Sequence, residues 1–310
     1  MSLAVSISLV YARDSRLVTF ILRDADANAS PSNELIFEGG NLIHENNRIN
    51  VYRGKVLVRS SPDSPSVDAV CKIAYGRRAL EGLDNEARLY LGKLKHLQDV
   101  FIPKSYGYFI GDTDEGPTGC LVLEYCGEPV VQMLKFVDPA FRDAVVSAVE
   151  AIHDAGVRHR DISEDNILDH NGRPMIINFE AAQDHVCERK KPIVKGAIEP
   201  HPHEFNCDEL QWVCRSSLFW KTRYIMFDTL YYDVSLASDA RKLAEKAPPS
   251  WTPERALDEA YRAIVDHVKA WYPERYATWL AETKARKVSL TASNETPLAV
   301  SSCDQSEDHP

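Results

Sequence analysis

The sequence predicts an α+β chain in two lobes: a small β-rich lobe carrying one long helix, then a larger helical lobe. Three observations predict it. Apolar residues alternate with a period of two in 3–22, the spacing of a half-buried strand, and strand signals resume from residue 34 to about residue 75. One run, 79–98, has helical spacing instead, with Leu83, Ala87, Tyr90, Leu91 and Leu94 on one face. After residue 126 helical spacing dominates. Such an order of elements builds a two-lobed α+β protein with a cleft expected between the lobes.

Taken in order, Leu3, Val5, Ile7 and Leu9 alternate with Ser6 and Ser8, and 3–22 reads as a hairpin turning at Arg13-Asp14-Ser15-Arg16. Residues 1–33 are this hairpin extension and a polar linker, Asp24 to Asn33. The β-rich lobe covers 34–125, with strands at Val51–Val56, Ala69–Ala74, Lys104–Ile110 and Cys120–Tyr125, and RSSPDSPSVD (59–68) as a loop. The helical lobe covers 126–287, with helices at 138–155, 207–223, 236–247, 254–270 and 272–287. The tail 288–310 is rich in Ser, Thr and acidic residues, which predicts disorder.

Composition narrows the function. The chain has 310 residues, 44% hydrophobic and 26% charged, enough for a proper core. Its net charge of −10 argues against nucleic acid as a partner, since phosphate backbones need a positive surface. No apolar run is long enough to span a membrane, and the N-terminus lacks the basic region of a signal peptide. The seven cysteines include no CxxC pair. These features predict an intracellular, cytoplasmic protein with reduced cysteines.

The most informative stretch is HDAGVRHRDISEDNILDHNGRPMIINF, residues 153–179. His159-Arg160-Asp161 followed by Asn166 fits H-R-D-x-x-x-x-N. Phosphoryl transfer needs a residue to orient the acceptor hydroxyl, divalent metal to neutralise phosphate charge, a cation on the α/β-phosphates, and a partner to hold that cation. Candidates appear in that order of chemistry. Asp161 is the base, Asn166 a metal ligand, Lys72 the phosphate cation, and Glu86 its ion-pair partner. Ile162 and Leu168 are apolar anchors of the loop. Val51 and Val70 would pack on adenine, with the segment around Glu124 and Cys126 reading its edge.

These residues resemble the protein-kinase-like superfamily from about Val51 to Leu218, most closely in HxxGxxHRDxxxxNIL, where His153, Gly156, His159, Arg160, Asp161, Asn166, Ile167 and Leu168 all match. The details are similar to a divergent group of fungal kinase-like proteins, which share a Phe-Glu ending, a following histidine and cysteine (His185, Cys187), and a C-x-E-L helix (Cys207 to Leu210). The resemblance implies a two-lobed protein-kinase-like fold, ATP and Mg²⁺ as cofactors, and transfer to a serine or threonine hydroxyl of a protein. A binding scaffold of the pseudokinase kind is the alternative. A small-molecule phosphotransferase is a further one, disfavoured because those enzymes usually place glycine where Arg160 stands.

Three departures bear on activity. The metal-binding carboxylate of D-F-G is replaced by the amide of Asn178, followed by Phe179-Glu180; a neutral oxygen holds Mg²⁺ less tightly than a carboxylate. Asn178 is nonetheless the second expected metal ligand. His44, Asn46 and Ile49 occupy the three glycine positions of a phosphate loop, and Gly39-Gly40 lie too early. Residues 181–206 contain no Ser, Thr or Tyr, so Arg160 either pairs with something other than a phosphorylated residue there, with Asp184 and Glu188 as candidates, or is a structural residue.

His185, Cys187, His201, His203 and Cys207 crowd one segment. They could hold zinc, but the spacing is not that of a finger, and they read as packing residues. Arg189-Lys190-Lys191 reads as a solvated run, and Leu210, Trp212, Phe219 and Trp220 as core.

Overall fold

The computed structural model describes residues 2–11, 14–25, 34–46, 48–58 and 66–281. The expected turn residue Arg13, most of the 24–33 linker, most of the 59–68 loop and the tail 288–310, expected to be disordered, fall outside these residues. The described residues group into two compact units, divided between Trp220 and Lys221.

The first unit begins with seven strands, β1 (Ser2–Tyr11), β2 (Asp14–Asp24), β3 (Glu34–Glu45), β4 (Ile49–Val58), β5 (Val67–Tyr75), β6 (Ser105–Thr113) and β7 (Gly116–Glu124). They close into a barrel in the order β1-β2-β6-β7-β5-β4-β3. Every pair is antiparallel except β1 with β3, which run parallel from Ser2 beside Glu34 to Ile7 beside Gly40. Between β5 and β6 comes α1 (Arg77–Leu91).

This corrects the expected fold class. The two-lobed protein-kinase-like fold with a helical second lobe is not what the chain adopts: its strands form a closed, mixed seven-stranded barrel, and strands outnumber helices. Among the described residues there are fourteen strands against six named α-helices and a helical stretch at 273–281. The reason is physical. Alternation in β1 and β2 marks them as strands but does not say which neighbours they take. In the barrel they bridge β3 and β6, so no edge is left unpaired.

Leu3, Val5, Leu22, Phe37, Tyr52, Cys71, Ile73, Phe109, Cys120 and Val122 fill the barrel. Cys71 and Cys120 are joined as a disulfide between β5 and β7, with Cα atoms 6.3 Å apart. That corrects the expectation that all cysteines are reduced. The register puts Cys120 opposite Ile73, one pleat from Cys71, on the same inner face.

After the barrel come β8 (Glu128–Pro129), α2 (Pro139–Asp154), β9 (Val157–Arg158), β10 (Ile167–His170), β11 (Arg173–Ile176), β12 (Gln183–Asp184), α3 (Pro202–Phe205) and α4 (Asp208–Ser216). Asp138 caps α2, accepting from the Ala140 and Phe141 N–H groups, with Pro139 at the first helical position. The inner face of α2 buries Val145, Val149 and Ile152 in the same core as Leu210 and Val213 of α4 and Trp220. Trp212 lies on the outer face of α4, 40% exposed, so it is not core as expected, whereas Leu210 and Trp220 are.

Gly127 follows the last barrel strand with φ +101°, and a Cβ there would sit 2.2 Å from the Asp169 carbonyl oxygen. Backbone cannot yield as a flexible side chain can. Gly127→Ala is therefore expected to destabilise the first unit by roughly 2–4 kcal/mol. Urea unfolding with unchanged m-value would register it as a lowered midpoint.

The second unit holds β13 (Tyr224–Phe227), β14 (Leu230–Asp233), α5 (Ala240–Ala244) and α6 (Pro253–Trp271). Its core is Ile225, Phe227, Leu243, Ala260 and Ile264. The hairpin β13–β14 went unread in the sequence, and the helix expected at 236–247 is a 3₁₀ turn, Val234–Ser238, followed by the short α5. No helix among the described residues is long and apolar enough to cross a membrane.

Candidate functional site

A cleft of about 730 Å³ opens in the first unit, within the size range of small-molecule sites. The nine residues expected to take part in catalysis or to hold nucleotide or metal all line it: Lys72, Glu86, Val51, Val70, Glu124, Cys126, Asp161, Asn166 and Asn178. Glu180 lines it as well.

Strand β5 explains Lys72. Its alternate residues Ala69, Cys71 and Ile73 point into the barrel, so Val70 and Lys72 point out of it, towards the cleft. The Lys72 Nζ donates to Glu86 Oε2 at 2.5 Å and to Glu180 Oε1 at 2.9 Å. Glu86 comes from α1 and is fully buried. Burial alone would push the Lys72 ammonium down, but the Glu86 and then the Glu180 carboxylates outweigh it and hold it above its ordinary value. Glu180 as a second partner was not foreseen. Neither was Asn85, whose amide donates to the carbonyls of Glu180 (3.2 Å) and Ala182 (2.8 Å) and so ties α1 to the 179–182 segment.

The loop after β9 is held from three sides. The His159 ring is buried, and burial pushes its pKa down, favouring the neutral form. Its Nε2 lies 2.8 Å from the Ile177 carbonyl oxygen. A carbonyl only accepts, so Nε2 carries the proton, and Nδ1 is free to accept from the Asp161 N–H at 3.2 Å. The Asn166 amide donates to the Asp161 carbonyl at 2.7 Å and to Asp161 Oδ2 at 3.1 Å. Glu209, at the start of α4, accepts from the His159 N–H (3.0 Å) and the Arg160 N–H (2.6 Å). That anchors Arg160, a bulky residue held at φ +70°. Glu209 belongs to the C-x-E-L stretch, which was the available signal for it.

Arg160 does not take the partners proposed for it. Asp184 pairs with Lys93 (2.8 Å) and Arg88 (3.3 Å), and Glu188 accepts from Asn206 (2.9 Å). The Arg160 side chain is exposed, with no ion pair among the described residues.

Asn178 also sits at positive φ, +71°, a conformation asparagine tolerates. Its Nδ2 donates to Asn166 Oδ1 at 3.1 Å. Asn178, Asn166 and Asp161 therefore form a chain of hydrogen bonds along the cleft floor. The expected phosphate loop is the β3–β4 turn, and His44, Asn46 and Ile49 line the cleft. The Asn46 side-chain oxygen accepts from the N–H groups of Arg48 and Ile49, both at 2.8 Å, and the Asn46 N–H bonds the Ile49 carbonyl. Those N–H groups are spent inside the turn. Gly39 and Gly40 lie in β3, where the register with β4 shifts between Glu38 and Asn41.

At the cleft's far end the Glu124 and Tyr125 N–H groups are used by the Lys104 and Asp68 carbonyls. Cys126 follows them in the lining of the cleft. Its thiol is pushed up to about 12 by burial, then by Glu124 and Asp99, so it is not a nucleophile at neutral pH.

A stretch of 87 residues is 34% identical to "Serine/threonine-protein kinase PSK1" of Saccharomyces cerevisiae. The match covers 28% of this chain and 6% of the length of that curated relative. Part of the chain is thus similar to a serine/threonine protein kinase. No family model matches the chain.

Proposed function

We propose that this chain binds ATP in the 730 Å³ cleft and transfers its γ-phosphoryl group to a serine or threonine hydroxyl of a protein, with weak turnover. One observation carries the reading: residues chosen for phosphoryl transfer from 51 to 178 of the sequence line one cleft. The similarity of part of the chain to a serine/threonine kinase supports the acceptor class.

The residues fit a nucleotide. Val51 and Val70 are partly buried apolar walls for adenine, and Cys126 offers a donor to its edge. An ammonium has three protons; Glu86 and Glu180 take two, and the third is available to a phosphate oxygen. The oxygen donors Asn166 and Asn178 suit Mg²⁺ by chemistry, and would hold it with less charge than a carboxylate supplies. When bound, the ion would neutralise charge on the phosphates.

Asp161 is exposed at the cleft, and Asn166 holds its Oδ2, which leaves Oδ1 for the acceptor. The hydroxyl proton passes to this carboxylate as the new oxygen–phosphorus bond forms and the bond from the γ-phosphorus to the bridging oxygen breaks. ADP leaves.

A binding scaffold without transfer is the second reading. It is favoured by Glu180 engaging Lys72 and by the Asn178–Asn166 amide pair, which together occupy the groups phosphate and metal would need. Asn178→Asp separates the two. Under the first reading, restoring a carboxylate raises Mg·ATP affinity or turnover about tenfold, as for an added charge worth ~1.4 kcal/mol. The measurement is transfer of labelled γ-phosphate to a mixed Ser/Thr protein substrate. No transfer by either form supports the scaffold.

A further inference from the structure

We propose that His153, His185, Cys187 and Cys207 hold one zinc ion, and that the ion braces the 159–161 loop through Glu209. One ligand atom from each lies within 4.8 Å of all the others. The residues come from three places: the last turn of α2, the segment after β12, and the residue before α4. His201 and His203, which the sequence put in the same group, are exposed and stacked on each other at 5.4 Å instead. His153 takes their place, from more than thirty residues upstream in the chain.

The geometry of His153 is that of a ligand already oriented. Its Nε2 lies 2.6 Å from Glu209 Oε2, and that carboxylate also accepts two backbone N–H groups. A carboxylate so placed accepts, so Nε2 carries a proton, and Nδ1 is the nitrogen that faces Cys207 Sγ at 3.7 Å. That is close to the edge of a tetrahedron built on zinc–sulfur and zinc–nitrogen bonds of about 2.3 and 2.0 Å, roughly 3.5 Å. A metal-binding histidine whose other nitrogen donates to a carboxylate is the usual outer-shell arrangement.

The other groups are also set for an ion. His153 and Cys207 are buried. His185 Nε2 is buried without any hydrogen-bond partner, a costly state that a ligand would relieve. Arg189 lies 3.6 Å from Cys187 Sγ, favouring its thiolate. Two sulfurs and two imidazoles select zinc over the hard ions. Glu209 then links the site to the loop, since the same carboxylate that orients His153 accepts from the His159 and Arg160 N–H groups. This holds whether or not the chain transfers phosphate.

The test uses the full, untagged chain purified without chelator. Elemental analysis is expected to find about one zinc per chain. Cys187→Ser/Cys207→Ser should lower it at least tenfold, and His201→Ala/His203→Ala should leave it unchanged. Because the cysteine variant could unfold, the wild type is also stripped and titrated with Co²⁺. The expected spectrum is the intense visible absorption of tetrahedral cobalt with a sulfur-to-metal band, and amide exchange at 159–161 should be faster in the stripped form. Zinc well below one per chain together with a weak octahedral cobalt spectrum would overturn the proposal. A Cys187–Cys207 disulfide in the purified chain, or zinc lost on changing His201 and His203, would overturn it too. Unchanged exchange at 159–161 would refute the brace.

Discussion

Lys72→Ala is expected to lower stability by about 3–5 kcal/mol, because it leaves a buried carboxylate without its counter-charge. Glu86 is fully buried, Lys72 is its salt-bridge partner at 2.5 Å, and Glu86 Oε1 has no hydrogen-bond partner at all. Glu180 cannot substitute, being of the same sign. Changing both partners to apolar residues of like volume, Lys72→Met with Glu86→Leu, should restore most of the loss. Thermal unfolding of the two variants checks this, and a double variant as unstable as the single one would show that the ion pair is not the cause. The linkage to pH has a definite sign. Lys72 is raised in the folded chain, so its contribution is complete below its ordinary value of 10.5 and fades only as pH rises above that. Lys72 itself gives no pH dependence near neutrality. A practical consequence is that loss of nucleotide binding in Lys72→Ala alone would not distinguish a broken site from an unfolded one.

Asp161→Asn is expected to reduce phosphoryl transfer by 10²–10⁴-fold, roughly the contribution of a positioned proton acceptor, with little change in folding. Asp161 is exposed, and its contacts from Asn166 go to the backbone carbonyl and one side-chain oxygen, both of which an amide retains. Nucleotide affinity should move by less than about threefold, since the base acts on the acceptor rather than on ATP. Measuring binding and transfer in one preparation separates the two. Equal losses in both would mean that Asp161 shapes the site instead of taking a proton.

Much of the candidate site was legible because its signals are local. The string from His153 to Leu168 fixes spacing within a single loop and the strand after it, and the alternation of β5 fixes which way Lys72 points. Glu180 and Glu209 were harder. Each is an ordinary charged residue whose partner lies far away in sequence, Lys72 for one, His153 and the 159–160 backbone for the other. The barrel was not legible at all. Its closure rests on the parallel pairing of β1 with β3 and a short antiparallel contact of Arg23 and Asp24 with Ile110 and Phe109. Period-two alternation is the same whether a strand is an edge, a hairpin or a barrel stave. The missed hairpin β13–β14 fails for a related reason. Only Ile225 and Phe227 of its first strand are buried, a pattern too short to stand out beside the helices that follow.

The measurement that bears most directly on the central claim is a calorimetric titration of ATP into the wild-type chain, with and without Mg²⁺. The account predicts saturable binding at one site that tightens when Mg²⁺ is present, with Lys72 and the Asn166–Asn178 pair in place to meet the phosphates and the ion. No heat and no rise in thermal midpoint under either condition would contradict it, and the cleft would then belong to some other ligand.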